Sequence, residues 1–189
     1  MTEPTEHPQP QIYPPTNNGP RTRWQRIHAY RLLWIISLSL FALDVLTKLW
    51  VVKNIPFTYD HPFHGGHQEI VVIPDFFYLI HVGNTGAAWS ILSGKSTLLA
   101  ILALGTLVAI FLYRRTLGLH VRAIQISFGL LCGGIVGNLV DRIAYRHVVD
   151  FLDFHFGSYT YPTFNVADCG ICIGVILYLW HSWRTPQPK

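Results

Sequence analysis

Four apolar runs, at about 30–52, 97–113, 123–143 and 164–183, constrain this chain more than any other feature. Each is close to the roughly 20 residues that a helix rising 1.5 Å per residue needs to cross a hydrocarbon core about 30 Å thick. Four spans put both ends of the chain on one side of a membrane. Arg21, Arg23, Arg26 and Arg31 precede the first run, Arg114, Arg115 and Arg122 bracket the loop between the second and third, and Arg184 and Lys189 follow the fourth. Because cytoplasmic loops are enriched in Lys and Arg, all three clusters are expected inside, and the segments 53–96 and 144–163 outside. Composition agrees: half of the 189 residues are hydrophobic, 13% are charged, and mean hydropathy is +0.31. The net charge of +4 follows these loop clusters rather than one basic face, so nucleic acid is not an expected partner.

The N-terminal 1–29 stretch is polar and carries six prolines between Pro4 and Pro20, a composition expected to form a disordered cytoplasmic tail. It lacks the apolar core and small-residue cleavage pattern of a removable signal peptide, so the first run is expected to be an uncleaved anchor. Residues 30–183 then form one membrane domain, and 184–189 a short cytoplasmic end. Cys132, Cys169 and Cys172 lie inside apolar segments and imply no disulfide framework; the CxxC spacing of the last two fits small residues in a buried helix. Outside the spans, residues 69–80 are rich in β-branched and aromatic residues and predict short strands. Phe154 to Phe164 predicts an interfacial loop or short helix.

Ionisable residues within spans are expensive, roughly 2.5–3.5 kcal/mol each at the membrane centre on insertion scales. Asp44 and Lys48 near the end of the first run, Asn138, Asp141 and Arg142 near the end of the third, and Asp168 near the start of the fourth all fall in the outer half. One shared site accounts for that convergence. Asp44 with Lys48, and Asp141 with Arg142, can equally be neutralised structural pairs, since opposite charges on one helix face lessen the cost of burial. Asp150 and Asp168 have no such close partner, although Arg146 reaches Asp150 if that stretch is helical. Two facing carboxylates cannot both ionise easily, so the pair shares one proton and can act as base and acid together. The plainer alternative makes Asp150 and Asp153 solvated loop residues.

The chain resembles the bacterial lipoprotein signal peptidases, or signal peptidase II, in five motifs in order: Asp44-Val45-Leu46-Thr47-Lys48, Asn84-Thr85-Gly86-Ala87-Ala88-Trp89-Ser90, Gly137-Asn138-Leu139-Val140-Asp141-Arg142, Val148-Val149-Asp150-Phe151 and Phe164-Asn165-Val166-Ala167-Asp168. The resemblance implies an aspartic endopeptidase of the bacterial inner membrane that cuts prolipoproteins on the amino side of a diacylglyceryl-modified cysteine. Its catalytic aspartates match Asp150 and Asp168. Asn84, Gly86, Asn138, Arg142, Asn165 and Ala167 would line the site, with Asp44, Lys48 and Asp141 in support. The implied fold is a four-transmembrane-helix bundle with a small extracytoplasmic β-sheet cradle and a periplasmic loop or helix over the active site. Prolipoproteins and membrane lipids are the implied partners, globomycin-type cyclic peptides the implied inhibitors, and no cofactor or metal is expected. On this reading Arg142 and Asn138 keep Asp141 ionised and structural, Asn84, Arg142 and Asn165 hold the substrate backbone, and Trp89 narrows or stacks on the peptide path. A transporter, with His61, His64 and His67 capturing a metal, is the rival reading of the in-membrane charges. A structural or assembly protein is a third, which would not need so many in-membrane polar groups on one side.

Overall fold

The structure is a computed structural model that describes residues 28–58 and 69–184. The proline-rich tail and the three loop histidines lie outside the described residues. Four helices carry most of the chain: α1 (Arg31–Asn54), α2 (Ser96–Leu112), α3 (Arg122–Ala144) and α4 (Val166–Arg184). Three of them, of 24, 23 and 19 residues, are long and apolar enough to cross a membrane. The fourth expected span, 97–113, is the 17-residue apolar helix α2. Between α1 and α2 run β1 (Ile70–Ile73) and β2 (Phe77–Asn84), and between α3 and α4 run β3 (Val148–Phe156) and β4 (Tyr159–Thr160). These form one open antiparallel sheet in the order β1-β2-β3-β4.

Helix α3 is the centre of the helical layer because its glycines let two neighbours approach its backbone. A Cβ on Gly133 would meet the Ser37 carbonyl of α1, and one on Gly134 would meet the Ala167 carbonyl of α4. Gly174 of α4 faces the Ser127 carbonyl of α3 in the same way. Small residues at such crossings are how apolar helices pack when lipid removes the hydrophobic drive between them. Outward, the helices expose Trp34, Ile35, Leu38, Leu46, Ile101, Phe111, Ile176 and Leu179, a surface fitted to hydrocarbon rather than water.

The expected strands in 69–80 are present, but Phe154–Phe164 begins as a hairpin and is loop only at its turn and over 161–163. It completes β3 and turns through Gly157-Ser158 into β4, with Phe156 opposite Tyr159. Gly157 has φ +64, the conformation that a two-residue hairpin demands and a β-carbon disfavours. The aromatic alternation that suggested an interface is a strand's period of two: Phe154 stacks on Phe77 of β2 at 4.5 Å. The other face of β3, through Val149 and Phe151, packs on Val51 and Ile55 at the end of α1. The sheet is thereby seated on one end of the helices, at the point where Pro56 ends α1.

Candidate active site

Asp150 lies on β3 and Asp168 in the first turn of α4, and backbone pairing brings the two together. Leu152 and Phe164 exchange hydrogen bonds, Leu152 N–H to Phe164 O at 2.9 Å and Phe164 N–H to Leu152 O at 3.2 Å. The start of α4 is thus stitched to β3 two residues from Asp150. Asn165 is the N-cap of α4 and Asp168 its third residue. The Asp168 N–H donates to Asn165 Oδ1 at 2.9 Å, and Asp168 Oδ2 accepts the Asn165 N–H at 3.3 Å. This reciprocal capping box closes two of the amides that a helix start leaves unpaired.

Carboxamides tie the two aspartates together. Asn165 Nδ2 donates to Asp150 Oδ1 at 2.6 Å, Asn84 Nδ2 to Asp150 Oδ2 at 3.0 Å, and Asn138 Nδ2 to Asp168 Oδ1 at 2.7 Å. Asn84 reaches Asp150 because its partner in the ladder is Val148, two residues before Asp150, which places both side chains on one face of the sheet. Asp150 is 2% exposed. Burial, and then the neighbouring Asp168 carboxylate, push its pKa up to about 7, against the opposing pull of the Asn84 and Asn165 amides. Asp150 and Asp153 are therefore buried strand residues, not solvated loop ones: Asp153 contacts His155 Nε2 at 2.7 Å. Arg146 does not reach Asp150 along a helix. The chain leaves α3 at Ala144, Arg146 takes φ +66, and its side chain is exposed.

Asp150 and Asp168 open on a cavity of about 510 Å3 lined also by Asn84, Asn138, Arg142, Trp89 and Tyr161. Three other residues expected to line it stand behind the wall. Gly86 accepts Arg142 Nη2 through its carbonyl at 3.0 Å, Ala167 is wholly buried, and so is Asn165. Asn165 cannot hold substrate backbone as expected, because its amide is taken up by Asp150, Asn138 and the Val149 carbonyl. Asp141 is not paired with Arg142 either. Its oxygen meets Lys48 Nζ at 2.8 Å and accepts the Val149 N–H at 3.1 Å, while the Arg142 guanidinium goes to the Asn138 and Gly86 carbonyls. Adjacent residues on a helix point about 100° apart, so the nearest cation in sequence was the wrong one. Asp44 does pair with Lys48, at 2.8 Å.

Arg142 lines the cavity, and its buried Nε has no hydrogen-bond partner among the described residues. Trp89 is exposed, has φ +55, and meets Tyr161 edge to face at 6.2 Å across the cavity. Tyr161, Pro162 and Cys169 were not found as site residues from sequence: the first two carry no charge in a span and no distinctive spacing, and the CxxC spacing of Cys169 was read as helix packing. Cys169 and Cys172 are free thiols on α4, as is Cys132 on α3. Among the described residues no group of three His, Cys, Asp or Glu could hold a metal ion.

The model of the Signal peptidase (SPase) II family matches residues 36–184, a stretch that contains every residue of this site. The chain belongs to the signal peptidase II family. It is 42% identical over 160 residues to the lipoprotein signal peptidase of Nostoc punctiforme, covering 82% of this chain and 92% of that one. With the lipoprotein signal peptidase of Bacillus pumilus it shares 38% over 144 residues, covering 76% and 87%. A solved bacterial membrane enzyme superposes with a TM-score of 0.69 at 29% identity, covering 83% of this chain and 93% of that one. The chain is accordingly a membrane protease of the family that cleaves signal peptides from prolipoproteins.

Proposed function

We propose that Asp150 and Asp168 are the catalytic dyad of an aspartic endopeptidase that cuts prolipoproteins on the amino side of a diacylglyceryl-modified cysteine. The observation that carries this reading is the buried Asp150 and half-buried Asp168 carboxylates opening on one cavity, cross-braced by three carboxamides. The raised pKa of Asp150 lets the pair keep one proton near neutrality. A water between them gives its proton to the charged carboxylate as its oxygen attacks the scissile carbonyl carbon. The other carboxyl delivers its proton to the carbonyl oxygen. As the resulting diol collapses, the C–N bond breaks, the leaving nitrogen takes a proton from the dyad, and one diol hydroxyl returns one. The dyad ends with the single proton it began with. Asn84 and Arg142 meet the substrate backbone, and Trp89 with Tyr161 borders its path.

A membrane-edge position suits a substrate whose acyl chains stay in the bilayer while its peptide is cut. In this reading residues 30–183 form one peptidase domain in the bacterial inner membrane, with α2 as the fourth span, both termini cytoplasmic and the sheet cradling the site on the periplasmic side. Supporting it, α2 carries no charged residue, is mostly apolar and buries only Ser96, an exposure that hydrocarbon tolerates and water does not. The loop carrying Trp89 covers the site, bilayer lipids surround the helices, and globomycin-type cyclic peptides compete for the cavity.

The test is cleavage of a diacylglyceryl-modified prolipoprotein peptide by detergent-purified protein. Asp150→Asn and Asp168→Asn are each expected to lose at least about 10³-fold in kcat, on the scale of losing an acid or base catalyst. Substantial activity in both variants would overturn the dyad.

A further inference from the structure

Behind the dyad lies a second, fully internal cluster of charges. Lys48 is 4% exposed, Asp44 fully buried and Asp141 5% exposed. An ammonium has three N–H donors. Lys48 Nζ meets three oxygens: it forms ion pairs with Asp44 Oδ2 at 2.8 Å and Asp141 Oδ2 at 2.8 Å, and donates a hydrogen bond to Asn138 Oδ1 at 3.1 Å. Lys48 is not among the residues that line the cavity on which the dyad opens. The two carboxylates repeat one contact: Asp44 Oδ1 accepts the N–H of Ala167 at 2.8 Å, and Asp141 Oδ2 accepts the N–H of Val149 at 3.1 Å. Ala167 immediately precedes Asp168, and Val149 immediately precedes Asp150. The third acceptor, Asn138, donates in turn to Asp168 itself.

We propose that Lys48 is the positioning residue of this protease: through Asp44 and Asp141 its ammonium sets the backbone next to each dyad aspartate, and so the spacing across which water is activated. The proposal rests on the dyad reading above. Charge-assisted hydrogen bonds in a water-excluded interior are short and stiff. A single cation that anchors α1, α3, the start of β3 and the start of α4 holds two separately folded elements in register. Lys48 also contributes its field. The groups facing Asp150 are Asp168 from α4, Arg142 from α3 and Lys48 from α1, with neutral Asn84 and Asn165, and the Lys48 charge opposes the rise in the Asp150 pKa.

The test compares wild type, Lys48→Met, Asp150→Asn and Asp168→Asn, as full chains in detergent, on the diacylglyceryl peptide. Lys48→Met is expected to lower kcat about 10- to 100-fold, as displacement of reacting groups by ångströms does. Its KM should stay within about 3-fold, because no substrate contact is removed. The basic limb of its kcat/KM profile should move to higher pH, since the cation that favours ionised Asp150 is gone. A monodisperse Lys48→Met with wild-type kcat, or with reduced kcat and an unmoved limb, overturns the proposal. If Lys48→Met does not fold, Asp44→Asn decides. It keeps an oxygen for the Ala167 N–H but frees Lys48 from one anchor, and should lower kcat with the limb displaced to lower pH; an unchanged kcat and limb overturn the proposal. Inactive Asp150→Asn and Asp168→Asn beside a fully active Lys48→Met sink only this inference, whereas activity in both aspartate variants sinks the dyad reading beneath it.

Discussion

Asn165 donates to Asp150 through its amide and accepts from the Asp168 N–H through its oxygen, so one wholly buried side chain touches both members of the dyad. Asn165→Leu removes both contacts, and the loss of a hydrogen bond to a charged group is worth roughly 1.5–3 kcal/mol. Steady-state kinetics should therefore show kcat down by about 10- to 100-fold with KM little changed. Asp150 supplies the pH dependence. Its proton is held up to about pH 7 in the folded protein against an ordinary value of 3.8, so between those values the folded state binds more protons than the unfolded. Unfolding free energy then falls as pH rises through that window, and the cost is fully present above about 7. Thermal melts in detergent should show Tm dropping from about pH 5 to about pH 8, with a shallower slope in Asp150→Asn. Activity follows the same group: kcat/KM should decline above about pH 7 as the shared proton is lost.

At the level of elements, α3 organises the site because its two glycine faces bring α1 and α4 within backbone contact. A Cβ at Gly134 would strike the Ala167 carbonyl, one residue from Asp168, and one at Gly137 would strike the Asp44 carboxylate. Gly134→Ala should destabilise by about 1–3 kcal/mol, the usual range for overpacking, and lower kcat as well, because α4 carries Asp168. Gly105→Ala in α2, where nothing lies within 4 Å, should leave both Tm and kcat unchanged. A drop in Gly105→Ala equal to that in Gly134→Ala would show helix-wide sensitivity rather than close packing. The sheet has a comparable tight point at Gly83, whose Cβ would press on His147 at 2.8 Å and Phe57 at 2.9 Å.

For the whole molecule, the proposed orientation puts the β3–β4 turn outside and the end of α4 inside. Gly157 sits in an open turn with nothing within 4 Å, a position that tolerates insertion. Alkaline phosphatase inserted after Gly157 should be active in cells and the same enzyme fused after Arg184 inactive; the reverse pattern would invert the topology. The proposed orientation rests on the chain itself, on apolar length and on the side where arginines gather, because crossing a bilayer is decided segment by segment. The identity of the charged residues was legible for the same reason: an Asp or Lys in an apolar run stands out whatever surrounds it. Their partners were not. Lys48 was paired with Asp44 four residues away, as its helix spacing predicted, but its second carboxylate comes from another helix, and Asp141 prefers that distant cation to the adjacent arginine. The strand at 148–156 was hidden because a period of two, read over an aromatic stretch near a span, also fits an interface. The pairing of Asp150 with Asp168 stood at the boundary. The sequence by itself led us to expect both at one edge of the membrane, while only the ladder between Leu152 and Phe164, a contact between segments twelve residues apart, decided that they share one cavity.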